Sequence, residues 1–500
     1  MLFSELLSAA GLSPAIFGGD VDIKDVRDDS RRCGAGTCFV AVRGAADDGH
    51  RFIPQALSAG ASAVVCEDDS AVPAEVPCAV LHSSRAAPGL LAQAMLGWPA
   101  RRLTCVGVTG TKGKSTTTVL IRAALQAAGI RSGLLGTISY ETGARSVAAP
   151  TTTPGPVELA GMTAEMVRSG CTHLVMEVSS HALDQERTAG LEFKVAVFTN
   201  LSGDHVDYHK TRRRYIAAKR RLFEGLLPGA VAVLNADDPV SRMMASAVNG
   251  RCRTIWYGQG EESGLRGTIR RIDYSGTDFD AIHGGRTFPV STPLMGRHNM
   301  YNCLSALGVA AALGLDLEKA ARAVGTVARV PGRLDPVPAD APFKVFVDYS
   351  HTDDALMNVL SAIRGVEEGR RTDGRSRGRT IVVFGCGGDR DRTKRPRMAK
   401  VAEELADLLI VTSDNPRTED PRAIVNEVVA GLSPAGLARA EILVDRRAAI
   451  ARAIEQARPG DVVLIAGKGH ETYQILGERK VPFDDLLVAG EFIRRKEQAR

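Results

Sequence analysis

Between positions 104 and 128 a short apolar segment, TCVGV, runs into the turn Gly110-Thr111-Lys112-Gly113-Lys114-Ser115-Thr116. A stretch with helical spacing follows, with Leu120, Ala124, Leu125 and Ala128 on or near one face. A strand, a Gly-rich turn and a helix in that order make a phosphate cradle. Glycines let backbone N–H groups approach phosphate oxygens, and the helix N-terminus adds partial positive charge. In that geometry Lys114 reaches the β- and γ-phosphates of ATP and the Ser115 hydroxyl faces Mg²⁺. The spacing is shorter than the common G-x-x-x-x-G-K-[ST], because position 108 is Val and only G-x-x-G-K-[ST] remains. The competing reading is an ordinary Gly-rich turn with a stray lysine; the flanking strand and helix favour a nucleotide.

The rest of the chain repeats this alternation. Segments 172–177, 195–199 and 231–235 read as buried strands between helical stretches, the mark of a mainly parallel sheet. Before the turn, 37–43 and 62–66 read as strands and 53–61 as a helix. After it, 260–289 is rich in Gly and Thr and reads as a small β insertion. From about 336, segments 344–348, 380–384, 408–412, 441–444 and 461–466 read as the strands of a doubly wound sheet. The polar, Arg- and Gly-rich segment 365–378 reads as an exposed loop. The expected fold is therefore α/β, and 500 residues are too many for one core, suggesting two to four domains.

Sixty-three basic against 58 acidic residues leave a net charge of +5, nearly neutral for this length, which gives no case for nucleic acid or an anionic membrane. The nine cysteines are scattered without a C-x-x-C pair, as expected of reduced thiols in the cytoplasm. The N-terminus carries Glu5 and no basic region, a poor signal peptide, and no apolar run approaches membrane-spanning length.

Eleven ordered segments carry a resemblance over nearly the whole chain. They are DDSRRCGAGTCFVAVRG, TGTKGKSTT, LVMEVSSHALDQERT, FTNLSGDHVDYHKT with YIAAKRRLF, RHNMYNCLSA, VPGRLD, DYSHTDDAL, FGCGGDRDRTKRPRM, VTSDNPRTEDP and IAGKGHETYQ. In these the chain resembles the Mur ligase family, and within it the members that add diaminopimelate. The resemblance implies three domains: a small mixed α/β uridine-nucleotide domain over 1–100, a central ATP-binding domain with a mainly parallel sheet over 101–335, and a Rossmann-like amino-acid domain over 336–500. It implies an ATP-dependent amide ligase of the cytoplasm, acting as a monomer on UDP-MurNAc-L-Ala-D-Glu, diaminopimelate and ATP in peptidoglycan precursor synthesis.

The resemblance also assigns roles. Ser115, Glu177, His205 and Lys219 would hold Mg²⁺, Lys219 as a carbamate formed with CO₂; Lys114, Lys219 and His205 would be catalytic. From composition alone Lys219 belongs to a basic run and a solvated helix face, Glu177 to a solvated strand end, and His205 to a polar loop. Ser30, Thr151, Thr152, Thr153, Ser179, Gln185 and Arg187 match positions that hold the UDP-MurNAc-dipeptide, and the Gly44-Ala45-Ala46-Asp47 loop lies on the uracil side. Arg390, Asp414, Asn415, Pro416, Arg417, Gly467 and Glu471 match the diaminopimelate site. There Arg417 suits the distal carboxylate that lysine lacks, and Glu471 suits an ammonium. Asp414-Asn415-Pro416-Arg417 alone is equally a turn. Two departures stand out: Asp353 where Pro is usual, and Asp335 where Glu or Gln is commoner. A phosphate-loop motor on nucleic acid, prompted by KTRRRYIAAKRR, and a non-enzymatic nucleotide scaffold are the rival readings. Near-neutral charge opposes the first, and joint retention of Lys114, Glu177, His205 and Lys219 opposes the second.

Overall fold

The computed structural model describes all residues except 45–46, 204–205, 373–376 and 499–500. They divide into two compact units. The first comprises Met1–Leu201, Thr211–Leu265 and Ser305–Ala320, the second Ser202–Lys210, Arg266–Leu304 and Ala321–Arg500.

The first unit carries two sheets. One is built from β1 (Ile16–Phe17), β2 (Asp25–Arg27), β3 (Thr37–Val40), β4 (Ala61–Cys66) and β5 (Cys78–Val80), in the order β1-β5-β4-β3-β2 and parallel except for β1. The other holds β6 (Thr104–Thr109), β7 (Ser132–Leu135), β8 (Ser139–Glu141), β9 (Ser146–Ala148), β10 (His173–Glu177), β11 (Phe193–Phe198), β12 (Val231–Asn235) and β13 (Arg253–Gly258). Its order is β13-β12-β11-β6-β10-β7-β8-β9, parallel from β13 to β7, with antiparallel β8 and β9 at the edge. β6 lies centrally and is buried from Cys105 onward, so both faces are covered and its run is apolar rather than alternating. Gly107 admits the Phe193 ring, which a Cβ there would meet at 2.8 Å. The helix Lys114–Ala127 buries Leu120, Ile121, Ala124 and Leu125, each worth up to ~1.5–3 kcal/mol for the larger side chains. It stops in a Schellman motif: Gly129 at φ 74° donates to Gln126 O and Ile130 to Leu125 O, both at 2.9 Å.

In the second unit β14 (Leu265–Asp273) enters a β segment whose β15 (Gly276–His283) and β16 (Arg286–Thr292) pair antiparallel, as the Gly- and Thr-rich composition suggests. The main sheet contains β17 (Asp335–Pro336), β18 (Lys344–Asp348), β19 (Thr380–Phe384), β20 (Leu408–Val411), β21 (Ala440–Ile442) and β22 (Val462–Ala466), in the order β17-β18-β22-β19-β20-β21 and parallel beyond β17. Alternate residues feed different cores. Phe346, Val382, Phe384 and Leu464 pack on one face; Val345, Val347, Ile381, Val383, Val463 and Ile465 pack on the other. A hairpin of β23 (Tyr473–Leu476) and β24 (Arg479–Pro482) follows.

Segment 365–378 differs from the expected loop. The helix Asp353–Thr372 runs through its first half; 373–376 lie outside the described residues. Val366 is buried in the core, and buried Glu367 accepts the Tyr274 hydroxyl at 2.5 Å and the Gly378 N–H at 2.7 Å. That burial outweighs the ~1 kcal/mol helix cost of Gly365. Asp353 starts this helix, where an acidic side chain meets the positive end of the helix dipole, and it pairs with Arg397 at 2.9 Å. Asp335 is buried and holds Arg329 at 2.7 Å and the Gly332 N–H at 3.1 Å. All nine cysteines are free. Among the described residues no helix is long and apolar enough to cross a membrane.

Candidate active site

Parallel sheets present their ligand groups beyond the C-terminal ends of their strands, and both units do so here. After β6, Gly110 turns the chain at φ 148°; a Cβ there would sit 1.9 Å from Thr199 Oγ1. Gly113, at φ 84°, admits the helix that starts at Lys114. Residues after β11 brace the turn. Asn200 O accepts the Thr111 N–H at 2.8 Å and Asn200 Oδ1 accepts the Lys112 N–H at 3.0 Å, while Thr199 Oγ1 and Asn200 Nδ2 donate to Lys112 O at 2.6 and 3.1 Å. Ser115 and Thr116 are buried in the first helical turn.

Two ammonium groups converge on this loop. Lys114 Nζ donates to Gly110 O at 3.0 Å and Thr111 O at 2.9 Å; Lys219 Nζ donates to Gly110 O at 2.8 Å. Lys219 is 1% exposed on the helix Arg212–Glu224 and lies 4.5 Å over the Tyr215 ring, whose hydroxyl is 3.0 Å from Thr111 Oγ1. The composition-based reading of Lys219 as part of a solvated face is therefore wrong. Its neighbours in the run, Arg212, Arg213 and Arg214, occupy the exposed face.

Glu177 ends β10 and pairs in register with Val108, two residues before Gly110. It is buried, not a solvated strand end. Oε1 accepts the Thr137 N–H at 2.8 Å, and Oε2 lies 3.1 Å from the Thr137 hydroxyl, itself 3.1 Å from Thr152 Oγ1. The network continues through the expected dipeptide-site residues. Thr153 Oγ1 donates to Glu177 O at 2.8 Å and accepts the Ser179 N–H at 3.1 Å; Ser179 Oγ caps the next helix on Ala182 N–H at 3.1 Å. Arg187 grips Gln185 Oε1 at 2.7 and 2.9 Å and Thr153 O at 3.1 Å, and the Tyr140 hydroxyl meets Thr151. Burial raises the Tyr140 hydroxyl above its ordinary value. Ser30 stands apart, donating to Gln55 Oε1 at 2.9 Å. His205, Ala45 and Ala46 lie outside the described residues.

In the second unit the expected amine-donor residues gather after β20 and β22. Asn415 Nδ2 donates to Glu471 Oε2 at 2.8 Å, and Asn415 Oδ1 accepts the Ile475 N–H at 3.0 Å. Arg417, half-buried at φ 53°, donates from Nη1 to Gly388 O at 2.6 Å. Its backbone is clipped to the β23–β24 hairpin, Arg417 N to Ile475 O at 3.1 Å and Gly477 N to Arg417 O at 2.8 Å. Asp414 is buried with no hydrogen bond to its carboxylate among the described residues; burial raises its carboxyl, opposed by the Arg446 guanidinium and the Lys468 ammonium. Gly467, at φ 120°, leaves room for it, since a Cβ would come 2.4 Å from Asp414 Oδ2. Pro416 O packs against Gly388, where a Cβ would come within 1.9 Å. Arg390 is exposed and meets only the Asp389 carbonyl among the described residues, at 3.4 Å, so it is not drawn into this cluster. Thr137, Asn200, Tyr215 and Lys468 support the two sites without having been expected from the sequence; Asn200, Tyr215 and Lys468 lie in quoted segments, Thr137 in none.

Comparison with known proteins bears on nearly the whole chain. Three family descriptions match in order: "Mur ligase family, catalytic domain" at 22–102, "Mur ligase middle domain" at 108–310 and "Mur ligase, glutamate ligase domain" at 332–469. The UDP-N-acetylmuramoyl-L-alanyl-D-glutamate–2,6-diaminopimelate ligase of Solibacter usitatus is 42% identical over 468 residues, covering 93% of this chain and 92% of its own. The protein of that name from Gloeobacter violaceus is 42% identical over 508 residues, covering 99% of each. A solved structure of a ligase with that name superposes with a TM-score of 0.65 at 32% identity, covering 95% of each chain. With three family descriptions matching in order and relatives of this identity along nearly its full length, the chain belongs to the Mur ligase family.

Proposed function

We propose that the protein is the ATP-dependent ligase that joins 2,6-diaminopimelate to the D-Glu side-chain carboxylate of UDP-MurNAc-L-Ala-D-Glu, building the peptidoglycan precursor. The observation that carries this reading is the Asn415–Glu471–Arg417 cluster, held in place by the β23–β24 hairpin. It offers a carboxylate for an ammonium and a half-buried guanidinium for a second acidic end. We further propose that 1–100, 101–335 and 336–500 act as uridine-nucleotide, ATP and amino-acid domains of a cytoplasmic, monomeric enzyme that serves wall growth and cell division.

Condensing a carboxylate with an amine in water is uphill, and carboxylate oxygen leaves poorly. Phosphorylating the D-Glu carboxylate from ATP solves both problems: the oxygen attacks the γ-phosphorus, ADP departs, and the amine then displaces phosphate from the acyl carbon. Positioning and charge neutralisation therefore dominate the work of the protein. The turn 110–116 cradles the phosphates, and Lys114 exchanges its bonds to Gly110 O and Thr111 O for phosphate oxygens. The Ser115 hydroxyl, the Thr137-anchored Glu177 carboxylate and Lys219, once CO₂ has turned its amine into a carbamate, would hold Mg²⁺ at this sheet edge; the resemblance adds His205, which lies outside the described residues. Mg²⁺, when bound, neutralises the negative charge of the phosphate oxygens. Thr151, Thr152, Thr153, Ser179, Gln185 and Arg187 orient the dipeptide beside Glu177, and Ser30 contacts the uridine end. Arg417 and Glu471 select the donor, with Asp414, Pro416 and Gly467 shaping that pocket; Arg390, exposed in this structure, would have to swing in to reach the donor.

The test is phosphate release by the purified full chain with ATP, Mg²⁺, UDP-MurNAc-L-Ala-D-Glu and diaminopimelate. Release is expected only when all are present, with a product heavier by one diaminopimelate residue. ATP hydrolysis stimulated by nucleic acid and indifferent to the sugar-peptide would overturn the proposal.

A further inference from the structure

Lys468 has been given no role toward the donor so far, yet its side chain is 0% exposed. Lysine is almost never that deep unless it is paired, because an ammonium taken out of water loses its hydration. Its three donors are all directed. Nζ bonds Glu471 Oε2 at 3.1 Å and Asn415 Oδ1 at 3.1 Å, and faces the Tyr473 ring at 5.6 Å. Asn415 Nδ2 closes the ring of contacts on the same Oε2 at 2.8 Å. Glu471 is therefore held through one oxygen only. Oε1 has no partner among the described residues, and the side chain retains 18% exposure.

The backbone is committed to this arrangement. Gly467 at φ 120° and Gly469 at φ 54° flank Lys468 in conformations that L side chains rarely adopt. A Cβ at the first would come 2.4 Å from Asp414 Oδ2, and at the second 2.7 Å from Tyr349 Cβ. The Gly-Lys-Gly segment thus turns the lysine inward beneath the two residues expected to hold the donor. A buried ion pair is weak evidence for stability, since an apolar side chain of similar volume often serves the core better. The charge count supplies a reason for this one. With Asp414 ionised, it and Glu471 contribute two negative groups to the pocket, Lys468 and Arg417 two positive ones, and Arg446 is neutralised separately by Asp485 at 2.6 Å. A balanced pocket matches a donor with two ammonium and two carboxylate groups. A pocket short of one positive charge matches a donor with one carboxylate fewer.

We propose that Lys468 is a positioning and specificity-determining residue of the amine-donor pocket: with Asn415 it pins Glu471 through Oε2, presents Oε1 to the donor ammonium, and balances the pocket for a doubly zwitterionic amino acid. The inference rests on the reading of this cluster as the donor site.

Steady-state kinetics of the full chain test it, with diaminopimelate and lysine as alternative donors. Wild-type turnover is measured first; no turnover with diaminopimelate would sink the donor-site reading and this inference with it. If wild type turns over, Lys468→Met is expected to raise KM for diaminopimelate at least tenfold while kcat changes less than threefold and the KM values for ATP and the sugar-peptide stay within twofold. The preference for diaminopimelate over lysine should fall at least tenfold. In a Glu471→Gln background the same change should add less than threefold, because the group it positions is already altered. Lys468→Gln, which keeps a hydrogen-bond donor, is expected to lie between. An unchanged diaminopimelate KM, a parallel rise for all three substrates, or fully multiplicative losses in the double variant would each overturn the inference. Loss of the folded state in both single variants would make Lys468 part of the framework and overturn it too.

Discussion

Glu177→Gln separates folding from chemistry. The glutamine can keep its carbonyl oxygen on the Thr137 N–H, now at 2.8 Å, and turn its amide toward the Thr137 hydroxyl, now at 3.1 Å. The fold therefore exchanges a charge-assisted bond for a neutral one of the same shape, a loss of about 1 kcal/mol, which moves Tm by roughly 3 °C or less. What disappears is a full negative charge facing the phosphate end of the sheet. Two unit charges about 4 Å apart at an effective dielectric of about 20 interact by roughly 4 kcal/mol. Allowing for the residual amide dipole, a loss of about 3 kcal/mol is expected, or roughly a 150-fold fall in kcat. Phosphate release at saturating substrates gives the rate, and a thermal melt of the same preparation gives the stability. A variant that keeps kcat within threefold would refute the assigned role. A melting point lowered by more than about 10 °C would refute the claim that Glu177 serves chemistry rather than the fold.

Three further outcomes follow from the geometry. Arg417→Ala removes a half-buried guanidinium and should lower kcat/KM for diaminopimelate by about 100-fold, in line with roughly 3 kcal/mol for a lost partner of a buried charge pair, while KM for ATP stays within twofold in the same assay. Gly110→Ala places a methyl group 1.9 Å from Thr199 Oγ1 at φ 148°, and should raise KM for ATP about tenfold or more with a measurable drop in Tm, since such backbone strain costs on the order of 1–3 kcal/mol. Burial raises the Asp414 carboxyl, so its contribution to stability is complete below its unfolded value and is lost as pH climbs through the folded value. Asp414→Asn should therefore flatten the decline of Tm on going upward from about pH 4, as thermal melts across a pH series would show.

The phosphate loop was legible because its parts are consecutive: strand, glycines, lysine, hydroxyl and helix all fall within 104–128. Its braces were not legible as braces, because Asn200 and Lys219 reach Gly110–Lys112 from 88 or more positions away; the quoted segments contain both residues but do not show these contacts. Lys219 shows the limit of composition most sharply. It sits in a run of arginines that reads as a solvated face, but the helical turn points it, Tyr215 and Leu222 inward and leaves the arginines outside. The buried strands of both main sheets were visible as apolar runs, whereas the edge strands β8 and β9 are three residues each and carry no comparable signal. The helix Asp353–Thr372 was cut short in the sequence reading because Arg and Gly dominate its end; two buried side chains, Val366 and Glu367, decide the matter. In the proposed donor cluster motif order pointed to Asp414, Asn415, Arg417, Gly467 and Glu471, which the fold brings together, and to Arg390, which it does not; the hairpin that clips Arg417 and the lysine beneath Glu471 emerge only once the chain is folded.

Donor choice is the property on which this account turns, and a side-by-side measurement of kcat/KM for diaminopimelate and lysine addresses it most directly. A guanidinium that finds its carboxylate in one donor and not in the other predicts a preference for diaminopimelate of at least about 100-fold. Equal use of the two amino acids, or faster use of lysine, would contradict it.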